Sequence, residues 1–140
     1  MAVTLRDFMS GGDVLTIEPT VTLSEAARAM RHRDVGAAVV YDGGTLVGIF
    51  TERDLLRAIA DSRHPDQHRV QAYMTPDPVT LPPDHLPSEA AQIMHDRKFR
   101  HIPVVDEGEL IGIVSIRDLV TAGMHIHSAD AHVEIGRAHV

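Results

Sequence analysis

Apolar and polar positions along the chain form one pattern that occurs twice. Each round opens with a short extended stretch, Val14-Leu15-Thr16-Ile17 and then Pro78-Val79-Thr80-Leu81. Pro19 and the Pro82-Pro83 pair close these stretches, because proline removes a donor from a strand ladder. A helical pattern follows: Ala26, Ala27 and Met30 in the first round, Ala90, Ala91, Ile93 and Met94 in the second. Thr22 or Ser24 can cap the first helix and Pro87-Ser88-Glu89 opens the second, with Glu25 and Glu89 in first turns where the helix dipole favours an anion. Two strands joined by a tight turn come next. Gly36–Tyr41 turns through Asp42-Gly43-Gly44 into Leu46–Phe50, and His101–Val105 turns through Asp106-Glu107-Gly108 into Leu110–Val114. A last helix starts after Thr51 or Ser115, each a good N-cap.

Each round therefore reads β-α-β-β-α, an α+β unit. A shift of 64 residues superposes the two rounds: Ser24-Glu25-Ala26-Ala27 falls on Ser88-Glu89-Ala90-Ala91, and Arg53-Asp54-Leu55 on Arg117-Asp118-Leu119. Between 24–56 and 88–120, 15 of 33 aligned pairs are identical, which makes the chain an internal duplication rather than a chance likeness. Upstream the shift becomes 65, pairing Phe8-Met9 with Tyr73-Met74. The expected organisation is one repeat at 5–60, a polar linker at 61–72, a second repeat at 73–124 and a flexible His-containing tail at 125–140.

Composition narrows the function classes. The 140 residues are 44% hydrophobic and 24% charged, enough to bury a core. A net charge of −7 speaks against broad contact with a nucleic-acid backbone, which needs dense positive charge. Cysteine is absent, which removes disulfides, thiolate nucleophiles and Cys-based metal sites. The longest apolar run, 35–41, is too short to span a bilayer, and the first seven residues lack a signal-peptide pattern, so no membrane is expected and the expected compartment is the cytoplasm.

Enzyme signatures are missing from the sequence. There is no Gly-x-Ser-x-Gly elbow, His-Glu-x-x-His, P-loop or Gly-x-Gly-x-x-Gly. Ten histidines are many for this length, and four lie in the tail: His125, His127, His132 and His139. His125 and His127 would share a face if extended and are weak metal candidates. Asp130 and Glu134 are close in sequence, but the plainer reading is a solvated tail.

The repeated motifs carry a family resemblance. In both halves a Met is followed by a Thr-containing extended stretch, a Ser-Glu-Ala-Ala helix and a closing motif, Gly48-Ile49-Phe50-Thr51-Glu52-Arg53-Asp54 and Gly112-Ile113-Val114-Ser115-Ile116-Arg117-Asp118. With the Pro103-Val104-Val105-Asp106 strand end, these features resemble a tandem pair of cystathionine-β-synthase (CBS) domains over about residues 5–124. The resemblance implies two repeats packed with pseudo-two-fold symmetry into one module that pairs as a homodimer. It also implies a regulatory module that binds an adenine nucleotide (AMP, ADP or ATP) for an unidentified partner protein and does no chemistry itself. The alternatives are a degenerate interaction module without ligand, or a binder of another adenosyl compound such as NAD or S-adenosylmethionine.

The closing motif suits a ribose-phosphate. A Thr or Ser at a helix N-cap sits beside free N–H groups and the positive dipole end, and an Asp three residues on can accept hydrogen bonds from both ribose hydroxyls. Thr51 with Asp54 and Ser115 with Asp118 are thus the candidate ligand residues. Carried over from the family, Arg100 and His101 would contact the phosphates of a ligand held by Thr51 and Asp54, while the Asp118 site would face only Gly36 and Ala37 and bind weakly. Candidate adenine-slot residues are Thr16, Ile17, Val39 and Ile49, with Thr80, Leu81, Pro103 and Ile113 in the second half; all are equally core positions.

Overall fold

The computed structural model describes residues 3–11, 14–61, 64–121, 123–127 and 132–135. In chain order the elements are a 3-10 turn (Leu5–Asp7), β1 (Ser10–Gly11), β2 (Thr16–Ile17), α1 (Leu23–Arg33), β3 (Ala37–Asp42), β4 (Thr45–Thr51) and α2 (Glu52–Asp61). A second 3-10 turn (Val70–Ala72) leads into β5 (Thr75–Pro76), α3 (Pro87–Arg97), β6 (His101–Asp106), β7 (Glu109–Ser115), α4 (Ile116–Thr121), β8 (Met124–His127) and β9 (His132–Ile135). The α+β duplication read from the sequence is what the chain builds.

The compact units are not cut where the sequence repeats. One consists of Val14–Pro78, the other of Met1–Asp13 with Val79–Val140. In the 14–78 unit, β2 runs parallel to β3, β3 antiparallel to β4, and β5 antiparallel to the far edge of β4. β5 and the 3-10 turn before it come from the stretch that opens the second sequence repeat. Residues 61–72, read as a polar linker, are tied down at their C-terminal end. Leu23 N–H donates to the His68 carbonyl (3.0 Å), Val70 N–H to Val21 (2.9 Å) and Gln71 N–H to Pro19 (3.0 Å), and Arg69 Nη1 reaches the Thr20 carbonyl at 2.7 Å. Val70 is fully buried in a core of Leu15, Leu23, Ala26, Met30, Ala38, Val40, Phe50 and Ala58.

The other unit has the same plan with residues 3–11 in the matching place. β1 pairs antiparallel with β7, and β7 with β6. Leu5 N–H donates to the His85 carbonyl (2.9 Å), Arg6 N–H to Pro83 (3.1 Å), and Leu5 is fully buried against Leu81, Ala90, Ala91, Met94, Ile102, Val104, Val114 and Leu119. The opening strand of this repeat is reduced to a single parallel bridge, Leu81 to Val104.

Gly48 shows how the Met that opens the second round is seated. A Cβ there would stand 2.5 Å from Met74 Sδ and 3.0 Å from the Thr75 carbonyl oxygen, so the glycine admits the Met side chain and the incoming strand β5. The two hairpins share a bulge, between Val40 and Tyr41 and between Val104 and Val105. Their two-residue turns need positive φ at both central positions, which Gly43-Gly44 supply without strain and Glu107-Gly108 supply with Glu107 at φ 50°.

Of the tail, residues 125–127 and 132–135 are described: β8 and β9 pair antiparallel and lie beside α3 and α4. The cause is a two-residue alternation, Met-His-Ile-His and His-Val-Glu-Ile, which is a strand pattern.

Candidate functional site

Strand register sorts the candidate residues by face. In the 14–78 unit Thr16 pairs with Val39, Val39 with Ile49, and Ala37 with Thr51. Directly paired residues share a face and alternate residues along a strand return to it. Thr16, Ala37, Val39, Ile49 and Thr51 therefore lie on one face, opposite the face that carries Leu15, Ala38, Val40 and Phe50 into the core. Ile17 parts company with Thr16: it pairs with Val40 and packs against that core. Of the two residues expected in an adenine slot from β2, only Thr16 lies with Thr51, and it is exposed.

The same arrangement recurs in the other unit. His101 pairs with Ser115, and Pro103 with Ile113. Leu81 is in the core, so its neighbour Thr80 lies on the opposite face and is exposed. Thr80, His101, Pro103, Ile113 and Ser115 thus share one face; Pro103 is buried and His101 half-buried. Arg100 is exposed, and its carbonyl accepts the Ile116 N–H at 2.8 Å, so its backbone abuts the start of α4 and the Ser115 cap. Gly36 does the same for α2 through Glu52 N–H at 2.9 Å. Within its own unit, then, the cation-bearing segment Arg100-His101 borders Ser115.

Both closing motifs fold into reciprocal caps. Asp54 N–H donates to Thr51 Oγ1 (3.2 Å), and Asp54 Oδ2 accepts from Thr51 N–H (2.9 Å) and Thr51 Oγ1 (3.1 Å). Asp118 N–H donates to Ser115 Oγ (3.1 Å), and Asp118 Oδ2 accepts the Ser115 N–H (2.8 Å). This is the capping logic that sequence alone offered as the structural role of these residues, and it also locks each carboxylate at the positive end of a helix.

The carboxylates differ in their second oxygen. Asp54 is 6% exposed, and its Oδ1 takes a 3.2 Å hydrogen bond from Arg57 Nη2, which also donates to the Tyr73 carbonyl at 3.1 Å. The residue matching Arg57 in the second repeat is Thr121. Asp118 is half-buried, and among the described residues its Oδ1 has no partner. Nothing in the sequence marked Arg57; an Arg three residues after an Asp on a helix is the only signal it leaves.

Among the described residues no group of three His, Asp or Glu side chains is arranged to hold a metal ion. The side chains of the weak candidates His125 and His127 lie outside the described ones. No described helix is long and apolar enough to cross a membrane.

Comparison with known proteins settles the family. The CBS domain family model matches residues 5–61 and 70–125. The CBS domain-containing protein YhcV of Bacillus subtilis is 37% identical over 117 residues, covering 83% of this chain and 83% of that protein. Among solved structures, the CBS-domain containing protein ATU1752 from Agrobacterium tumefaciens aligns with a TM-score of 0.80 at 38% identity, over 86% of this chain and 98% of its own. The CBS domain pair of protein MJ0100, solved in complex with 5′-methylthioadenosine and S-adenosyl-L-methionine, aligns with a TM-score of 0.77 at 25% identity, over 85% of this chain and 98% of its own. With matched motifs, matched folds and two family matches along its length, the chain belongs to the CBS domain family and carries two such domains in tandem.

Proposed function

We propose that the chain is a non-catalytic regulatory sensor of adenosyl ligands, with an adenine nucleotide of the AMP, ADP or ATP type as its ligand. The observation that carries this reading is the pair of carboxylates, Asp54 and Asp118, each held by a cap that uses Oδ2; Oδ1 has no partner among the described residues in Asp118, and in Asp54 it is shared with the exposed Arg57. A ribose diol can donate to Oδ1, and each charge-assisted bond contributes about 1.5–3 kcal/mol. The MJ0100 pair supports the ligand class, since both of its named ligands contain adenosine. Arg100 and His101 are proposed to take the phosphates. A cytosolic setting, where adenine nucleotides turn over, goes with this reading.

Calorimetric titration of AMP, ADP, ATP, NAD and S-adenosylmethionine into the wild type, Asp54→Asn and Asp118→Asn tests it. Asparagine keeps the cap but loses the charge. At least one compound should bind, and at least one variant should weaken it by about 10- to 100-fold. Absence of binding by every compound, or wild-type affinity in both variants, overturns the reading.

The proposed assembly is a homodimer through exposed apolar positions on α2 and α4. Leu56 is 70% exposed and Val120, its match in the second repeat, 49%; Ile59 adds 47% one turn on from Leu56. A second copy of the chain is the proposed cover, and sedimentation of Leu56→Glu should show a smaller species than the wild type.

A further inference from the structure

We propose that Arg57 is a displaceable cover on Asp54 that couples occupancy of this carboxylate to the backbone of residues 70–76. Resting on the ligand reading above, the device lets one of the two sites report that it is filled. One nitrogen carries the coupling. Arg57 Nη2 donates to Asp54 Oδ1 at 3.2 Å and to the Tyr73 carbonyl at 3.1 Å.

Burial requires the cover to move. Asp54 is 6% exposed, and its Oδ2 already accepts the Thr51 N–H and the Thr51 hydroxyl. A ribose diol therefore reaches the carboxylate at Oδ1, where the guanidinium stands. Arg57 can yield. Its own side chain is 58% exposed, and its Nη1 and Nε have no partner among the described residues. An ion pair with so exposed a member holds its cation by about fivefold at most.

Release acts on the segment that Tyr73 belongs to. The Val70 carbonyl accepts both the Tyr73 N–H (2.9 Å) and the Met74 N–H (2.8 Å), closing the 3-10 turn Val70–Ala72. β5 follows and pairs with β4 at Gly48 and Ile49, and Ile49 lies on the face that carries Thr51. Taking the guanidinium from the Tyr73 carbonyl loosens the turn that delivers this edge strand.

Among the described residues the other repeat lacks the device. Phe8 and Met9 make the same two bonds, to the Leu5 carbonyl, at 3.0 and 2.9 Å. The residue matching Arg57 is Thr121, which has neither the charge nor the length. Asp118 is half-buried, and its Oδ1 has no partner among the described residues. Asp118 thus binds without moving a cover, whereas Asp54 binds and transmits.

Amide exchange followed by NMR tests this in an Asp118→Asn background, where calorimetry reports binding at Asp54. The probes are AMP, ATP, S-adenosylmethionine and 5′-methylthioadenosine. Saturation should speed exchange at Ala72, Tyr73 and Met74 about two- to tenfold relative to Phe8 and Met9, the worth of one hydrogen bond. Arg57→Gln without ligand should show the same acceleration, and ligand should add nothing to it. Tyr73→Phe keeps the carbonyl and should behave as its parent. Unchanged exchange in unliganded Arg57→Gln, binding without acceleration, or a ligand-induced acceleration that persists in Arg57→Gln overturns the proposal and leaves the ligand reading standing. Binding of no probe in this background also overturns it, and titration of the wild type then shows whether the ligand reading falls with it.

Discussion

Arg57 ties two features together with one nitrogen: the Asp54 carboxylate at 3.2 Å and the Tyr73 carbonyl at 3.1 Å. It competes for the oxygen a ligand would use, and magnitudes decide how strongly. Its side chain is 58% exposed, and ion pairs with so exposed a partner contribute about 0.2–1 kcal/mol. A charge-assisted bond from a ligand hydroxyl contributes about 1.5–3 kcal/mol, so in the proposed site Arg57 would attenuate binding at Asp54 without closing it. Arg57→Gln in an Asp118→Asn background should therefore tighten binding of 5′-methylthioadenosine, which has no phosphate for Arg57 to attract, by about two- to fivefold in a calorimetric titration; unchanged or weaker binding would refute the competition. Sequence marked Asp54 and Asp118 as candidates because an N-cap followed by a carboxylate three positions on is a local pattern, and the caps themselves are what the structure forms. Sequence left Arg57 unmarked because an Asp–Arg pair three apart on a helix is ordinary surface pairing, and the Tyr73 carbonyl that sets this one apart lies 16 residues away. Period-two alternation already separates Thr16 from Ile17; assigning both to one slot overlooked it.

The helices show what a duplication keeps and what it lets drift. α1 begins with a full reciprocal cap: Glu25 N–H donates to Thr22 Oγ1 (3.1 Å) and Thr22 N–H to Glu25 Oε1 (2.8 Å). In α3 the matching N-cap is Leu86, which has no side-chain acceptor; only Leu86 N–H to Glu89 Oε1 (2.9 Å) survives, with Pro87 opening the helix. Restoring the hydroxyl with Leu86→Thr should raise stability by about 0.5–2 kcal/mol in urea unfolding, helped by removing a leucine that is 43% exposed. Hydrogen bonds from the Thr22 backbone, then from its side chain, with Arg28 and Arg69 nearby, hold the Glu25 carboxyl below its ordinary range. A carboxylate lowered on folding stabilises above its unfolded pKa, and that contribution fades as pH falls through the folded value. Glu25→Gln should accordingly lower Tm at pH 7 and flatten the acid limb of a Tm-against-pH curve. The hairpins were legible from Asp-Gly turns between apolar runs. The β8–β9 hairpin was not, because its alternation runs over only four residues on each side and no Gly or Asn-Gly turn joins the two runs.

At the scale of the whole chain, sequence repeats and structural units are offset. A repeat shows which segments are alike but not which copy each edge strand joins, since β1 and β5 are two-residue strands with no pairing signal of their own. Residues 14–78 contain every element of one unit, including Val70 and β5. That fragment should unfold cooperatively in urea, whereas residues 1–60, the repeat as sequence defines it, should not, for want of the buried Val70 and the strand that covers Gly48. Order of synthesis gives the offset another meaning. Leu5 and β1 leave the ribosome about a hundred residues before their partner β7, a wait of about 5–20 s at ordinary elongation rates. The 14–78 unit can finish folding in that interval. Leu5 and β1 must stay unpaired meanwhile, with Leu5 open to chaperones and proteases, so their bonds form only after those of the 14–78 unit, which follows them in the chain.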